Sequence, residues 1–259
     1  RKDPSGKTEV FLDPNQFSKD GTTSLAGVSF TKKGNLVAYK ISEGGSDWNK
    51  IIILDAGSKK QIDDPLTDVK FSGVSWLGDE GFFYSSYDKP DGSALSAKTD
   101  THKVYFHKLG TKQSEDQLII GGESFKRRYL TAWISEDQRF LILNAANATS
   151  GNELYVKDLH RATSDFIPVQ KGYEYNTDVV DTQGDFIYVL TDKNAPNRKL
   201  QKLNITQPEL WTDVIPETEN VLSVSTGGGF VFAEYMKDAI SSVKQYDYNG
   251  KLIRDIVLP

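Results

Sequence analysis

The chain has 259 residues, 37% apolar and 26% charged, with a formal net charge of −5. That is enough for one large domain with its own core, and the composition is wrong for a disordered segment. The acidic balance argues against a nucleic-acid footprint, the absence of cysteine removes disulfides and thiol chemistry, and no run approaches the 18 apolar residues of a membrane-spanning helix.

The chain opens on Arg1-Lys2-Asp3-Pro4-Ser5-Gly6-Lys7, a turn without Met or a secretory leader, and reads as an internal position of a longer protein. Thr8 to Leu12 follows as one outer strand, the tail of an earlier repeat. A pattern of short strands running into a polar turn then recurs five times. The turns are TKKGNLVAY (Thr31 to Tyr39), LGDEGFFYS (Leu77 to Ser85), SEDQRFLIL (Ser135 to Leu143), TQGDFIYVL (Thr182 to Leu190) and TGGGFVFAE (Thr226 to Glu234). The first apolar residue after each is Leu36, Phe82, Phe140, Phe186 and Phe230, giving spacings of 46, 58, 46 and 44 residues. Repeats of that length built from strands and tight turns imply an all-β fold, a β-propeller of four-stranded antiparallel blades. The expected division is a blade tail over about 1–20, then five blades over about 21–64, 65–121, 122–170, 171–217 and 218–259.

Within the second repeat, Val69 to Trp76 reads as an inner strand, Phe82-Phe83-Tyr84 as a buried strand and Val104 to His107 as the next one out. Similar outer strands recur at Ile51 to Ala56, Glu153 to Leu159, Lys199 to Leu203 and Val243 to Tyr248. Asn249-Gly250 after the last is a strong hairpin signal. The extra length of the second repeat, Asp88 to Thr101, is polar with Pro and Gly and reads as a long mobile loop. The basic run Lys126-Arg127-Arg128 reads as a solvated loop.

At the residues that follow, the chain resembles the prolyl oligopeptidase family of serine peptidases. The matching runs are FLDPN (Phe11 to Asn15), GSDW (Gly45 to Trp48), VKFSGVSW (Val69 to Trp76), THKVYFHKLGTKQSED (Thr101 to Asp116) and ELYVKDL (Glu153 to Leu159). The resemblance implies the propeller of an enzyme that cuts short peptides after proline. In that family a seven-bladed propeller is inserted in an α/β-hydrolase domain whose nucleophile, acid and base follow it. The chain is therefore expected to run from late in a first blade to a sixth, without the hydrolase domain, and to expose unpaired sheet edges or self-associate.

Catalytic chemistry is not expected from the chain alone. There is no G-x-S-x-G elbow to expose a serine beside oxyanion-hole amides. Of the three histidines, His102 and His160 look solvent-facing and His107 reads as a sheet residue rather than a base. No metal or other cofactor is expected: Asp63-Asp64 and Glu115-Asp116 are paired carboxylates in turns without calcium-loop spacing or a His or Cys partner. Gly227-Gly228-Gly229 reads as a hairpin turn, since no helix follows to make a phosphate cradle.

The resemblance also implies particular site residues. Phe71 matches a phenylalanine that lines the family's substrate cavity; the alternative is a core aromatic at the blade hub. Asp47 and Trp48 match a loop that faces the catalytic domain, Trp48 alternatively being a blade-edge residue that covers the core. The family's substrate-pairing arginine aligns with Ala145, and a methionine of the same wall aligns near Tyr129. Arg127 or Arg128, on proximity in sequence alone, is then the candidate to hold the distal part of a substrate. The expected partners are short proline-containing peptides and the hydrolase domain of the parent chain, with no nucleic acid and no membrane. A free-standing propeller that binds a protein partner is the alternative, and a carbohydrate-active propeller would need a hub pair of carboxylates that the repeats do not supply. Cytoplasm and periplasm both stay open.

Overall fold

The protein is described from a computed structural model, which covers residues 5–88, 99–161 and 164–258. Among the described residues, twenty strands form five four-stranded sheets, each built from strands consecutive in the chain. The first holds β1 (Thr23–Phe30), β2 (Leu36–Glu43), β3 (Trp48–Asp55) and β4 (Leu66–Lys70). The second holds β5 (Ser75–Leu77), β6 (Gly81–Ser86), β7 (Lys103–Lys108) and β8 (Gln117–Gly121). The third holds β9 (Tyr129–Ile134), β10 (Phe140–Ala146), β11 (Glu153–Asp158) and β12 (Ile167–Gln170). The fourth holds β13 (Thr177–Gln183), β14 (Phe186–Thr191), β15 (Lys199–Asn204) and β16 (Gln207–Ile215). The fifth holds β17 (Leu222–Gly227), β18 (Phe230–Lys237), β19 (Ile240–Tyr246) and β20 (Leu252–Ile256).

The recurring polar turns are the hairpins between the first and second strands of each sheet. In the last of them Gly227 pairs with Phe230, and the two residues between, Gly228 and Gly229, both have positive φ (58° and 81°). That is the two-residue hairpin whose twist suits antiparallel strands, and it needs residues free to adopt left-handed backbone. The triple glycine is thus a hairpin turn.

The second strands of the three middle sheets, β6, β10 and β14, are buried on both faces because neighbouring sheets pack against them, whereas β18 of the last sheet alternates between buried and more exposed residues. All six residues of β6 are buried. The chain forms two compact units, Arg1–Trp133 and Ile134–Pro259. In the first, Ala38, Ile51, Ile53, Leu66 and Val69 of one sheet pack with Trp76, Phe82 and Tyr84 of the next. Phe82 is fully buried, its ring 5.0 Å from Trp76 and 5.4 Å from His107. In the second unit, Tyr188, Leu190, Leu200, Val214 and Ile215 pack with Leu222, Val231, Ala233 and Tyr235. Continuous apolar runs such as Phe82-Phe83-Tyr84 and Ile187-Tyr188-Val189 follow from this two-sided burial, which spoils simple period-2 alternation.

Two expectations fail. Thr8 to Leu12 is not a strand: the chain there is irregular up to a 3-10 turn at Pro14–Gln16, and Val10 is 71% exposed. Its residues are strand-formers, but a strand needs a neighbouring edge to bond. Nor is Val69 to Trp76 one inner strand. Val69 and Lys70 end β4, which pairs with β3 through Trp48–Lys70 and Asn49–Val69, while Ser75 and Trp76 open β5. The break falls at Phe71, whose φ of +53° takes the backbone out of the extended region. The first sheet therefore runs to Lys70, past the expected boundary at 64. Most of the long polar loop, residues 89–98, lies outside the described residues.

Candidate functional site

The left-handed turn at Phe71 has a consequence for its side chain. A phenylalanine in this conformation costs about 1–3 kcal/mol and persists only where its surroundings hold it there. The residue is 44% exposed, so it is not a core aromatic. It meets Tyr129, the first residue of β9 and itself 49% exposed, edge to face with centroids 5.6 Å apart and planes at 74°. Edge-to-face pairs of this kind are favoured by ring quadrupoles.

Beneath this pair lies Tyr87, which is buried. Its ring is 6.4 Å from Phe71, 6.5 Å from Trp48 and 4.5 Å from His102. Burial pushes the Tyr87 phenol up to about 12, with the nearby Tyr129 and Asp100 adding to the effect, so it stays neutral. The Lys70 ammonium lies 5.0 Å from the Trp48 ring and 5.1 Å from the Phe71 ring, and 3.8 Å from the exposed Asp47 carboxylate. Each ring contact is a cation–π geometry. Phe71, Tyr129, Trp48 and Asp47 are thereby brought into one neighbourhood, joined through Lys70 and Tyr87.

Arg128 precedes Tyr129, but its guanidinium donates to the Ser124 carbonyl at 3.2 Å and lies 5.5 Å from the Phe125 ring. It is engaged with the turn that carries the basic run. Ala145 is fully buried in β10, opposite Glu153.

The histidines divide differently from expectation. His160 is exposed. His102 is fully buried rather than solvent-facing, and burial lowers its pKa to about 4. The polar loop before it hid this. Extending the alternation of β7 back by one residue would have placed His102 on the same face as the buried Val104. His107 is also buried, within β7, its Nδ1 2.7 Å from Asp116 and its Nε2 3.4 Å from Asp63. Two of the carboxylates read as lacking a His partner therefore have one, supplied by a strand 44 residues from Asp63. Asp116 also accepts from the Tyr84 hydroxyl at 2.7 Å, and Asp63 from the Gly110 amide at 2.6 Å. Both ring nitrogens of His107 are engaged by carboxylates, a structural clamp rather than a base poised beside a nucleophile. Among the described residues no group of three or more His, Cys, Asp or Glu side chains is arranged to hold a metal ion.

Residues 1–259 match the family model for the prolyl oligopeptidase N-terminal β-propeller domain. The chain belongs to that family. It is 68% identical over 262 residues to a prolyl endopeptidase of Elizabethkingia meningoseptica, covering 100% of this chain and 37% of the relative. Prolyl oligopeptidase A of Amanita bisporigera is 31% identical over 81% of this chain and 31% of its own length. Among solved structures, a prolyl endopeptidase from work on interdomain dynamics in catalysis and specificity superposes with a TM-score of 0.89 at 29% identity. That superposition covers 98% of this chain and 36% of that one. The chain thus spans about a third of the length of the prolyl oligopeptidases it matches, and the matched part is the propeller. Its five sheets are propeller blades.

Proposed function

We propose that this chain is the substrate-gating propeller of a proline-specific serine endopeptidase that acts on short peptides. The observation that carries the reading is the exposed Phe71–Tyr129 pair, held at a strained backbone over a buried aromatic base. Large aromatic rings left partly in water suit a peptide-contact wall, because binding a peptide over them removes apolar surface from water. The relatives, a prolyl endopeptidase and a prolyl oligopeptidase, supply the substrate class.

In this reading Asp47 and Trp48 face the α/β-hydrolase domain of the parent chain. Asp47 is exposed and only loosely paired with Lys70, so its carboxylate is available to a partner cation. Arg128 is a third peptide contact only if substrate draws it from Ser124 and Phe125. No group on the chain serves as nucleophile; hydrolysis belongs to the hydrolase domain, and the propeller restricts which peptides reach it.

The test is proline-directed cleavage of a short fluorogenic peptide by the full-length protein, beside this chain alone. The full-length protein should cut after proline, and this chain should leave the peptide intact. Cleavage by this chain unaided, or a full-length protein indifferent to proline, would overturn the proposal.

A further inference from the structure

We infer that His102 is a positioning residue for the peptide-contact rim: one neutral imidazole ties the residue before Phe71 to the residue after Tyr129. The inference rests on the function proposed above and names the device that fixes its site.

The hydrogen-bond partners set the tautomer. The Leu130 backbone amide donates to Nδ1 at 2.9 Å, so Nδ1 carries no proton. The proton of a neutral ring is then on Nε2, which donates to the Lys70 carbonyl at 3.0 Å. A protonated ring would lose the first of these bonds, since Nδ1 would become a donor facing a donor. Full burial and the Tyr87 ring 4.5 Å away hold the ring in place.

These two backbone groups belong to different blades. Lys70 ends β4 and leads into the left-handed turn at Phe71; Leu130 is the second residue of β9, directly after Tyr129. The edge-to-face geometry of the rim depends on the distance between those two segments, and His102 spans it with a rigid planar group. The main chain around His102 is anchored in turn: the Gly122 amide donates to the His102 carbonyl at 3.1 Å and the Arg127 amide to the Asp100 carbonyl at 2.6 Å. Gly121 leaves the room for this approach, because a Cβ there would lie 2.4 Å from the His102 oxygen. A wall pre-set in this way binds without ordering two separate loops first, and most of its benefit appears in binding rather than in chemistry.

The experiment compares His102→Leu, His102→Gln and Phe71→Ala in the full-length protein, with KM and kcat measured separately on a proline peptide. Glutamine offers one acceptor for Leu130 and one donor for Lys70; leucine fills the space and offers neither. Phe71→Ala and His102→Leu should each raise KM about tenfold with kcat within about twofold, as expected for lost uniform binding. His102→Gln should keep KM within about threefold of the parent. Adding His102→Leu to Phe71→Ala should raise KM little further, because the ring being positioned is already gone. Nitrogen-15 NMR of the unsubstituted protein should show His102 neutral with its proton on Nε2.

A folded His102→Leu protein with unchanged KM, beside a raised KM for Phe71→Ala, would overturn the inference and spare the rim. Glutamine as harmful as leucine, or the opposite tautomer, would also overturn it, even if the leucine variant fails to fold. An unchanged KM for Phe71→Ala would remove the rim itself and the inference with it.

Discussion

Replacing His107 by leucine should destabilise the first unit by about 3 kcal/mol, the low end of what breaking a buried ion pair costs. The imidazole lies between Asp116 and Asp63, whose side chains are only 2% and 8% exposed. Leucine keeps apolar contact with Phe82, whose ring faces the imidazole at 5.4 Å, but leaves two buried carboxylates facing each other without a cation. The low end applies because Asp116 keeps the Tyr84 hydroxyl and Asp63 keeps the Gly110 amide. Burial alone would lower the His107 pKa, but the hydrogen bonds and charges of Asp116 and Asp63 outweigh it and raise the value. A raised folded pKa means that the stabilisation from the charged ring is full below the unfolded value near 6.5 and is lost as pH rises through the folded value. The cost of His107→Leu should therefore be larger at pH 6 than at pH 9. Urea unfolding followed by the fluorescence of the four tryptophans reads this directly. Converting Asp116 to Asn in the leucine background should recover part of the loss by removing one unpaired charge. A loss under about 1 kcal/mol, or one that grows from pH 6 to pH 9, would refute the clamp.

His102 should give the opposite slope in an acid window. Its folded pKa of about 4 is below the unfolded value near 6.5, so its part of the stability falls as pH drops from 6.5 towards 4, by on the order of 3 kcal/mol; His102→Gln should flatten that segment of the stability–pH curve, and an unaltered curve would contradict it. Gly151→Ala should cost at least about 2 kcal/mol more than Gly34→Ala in chemical denaturation. Both glycines have φ above 70°, but a Cβ on Gly151 would lie 1.8 Å from the Tyr173 carbonyl oxygen while none would be met at Gly34; equal costs would contradict the close approach.

The blade architecture was legible because each polar turn is local chemistry: Gly or Asp beside a large apolar residue marks where a first strand folds back into a second one. Leu36, Phe140, Phe186 and Phe230 each open such a strand, and Phe82 is the second residue of its own. The resemblance marks Phe71, Tyr129, Asp47 and Trp48, and the fold gathers them into one neighbourhood, whose contact with a peptide is the reading proposed above. What residue types do not carry is backbone hand and tertiary partnership. Nothing in Val69-Lys70-Phe71-Ser72 announces a left-handed phenylalanine, so one continuous strand was read across a break. His107 finds Asp63 only because the connection between β3 and β4 is folded against the neighbouring blade. Fourth strands such as β20, with four of its five residues exposed, are held by ladder bonds and leave little hydrophobic pattern to read.

The account stands or falls on whether peptides touch the two exposed rings. The most direct measurement is saturation-transfer NMR between a proline-containing peptide and the aromatic protons of Phe71 and Tyr129, in the full-length protein with its nucleophile disabled. Contact with both rings, lost for each on its conversion to alanine, is the expected result. Tight peptide binding with no magnetisation exchanged with either ring would contradict it.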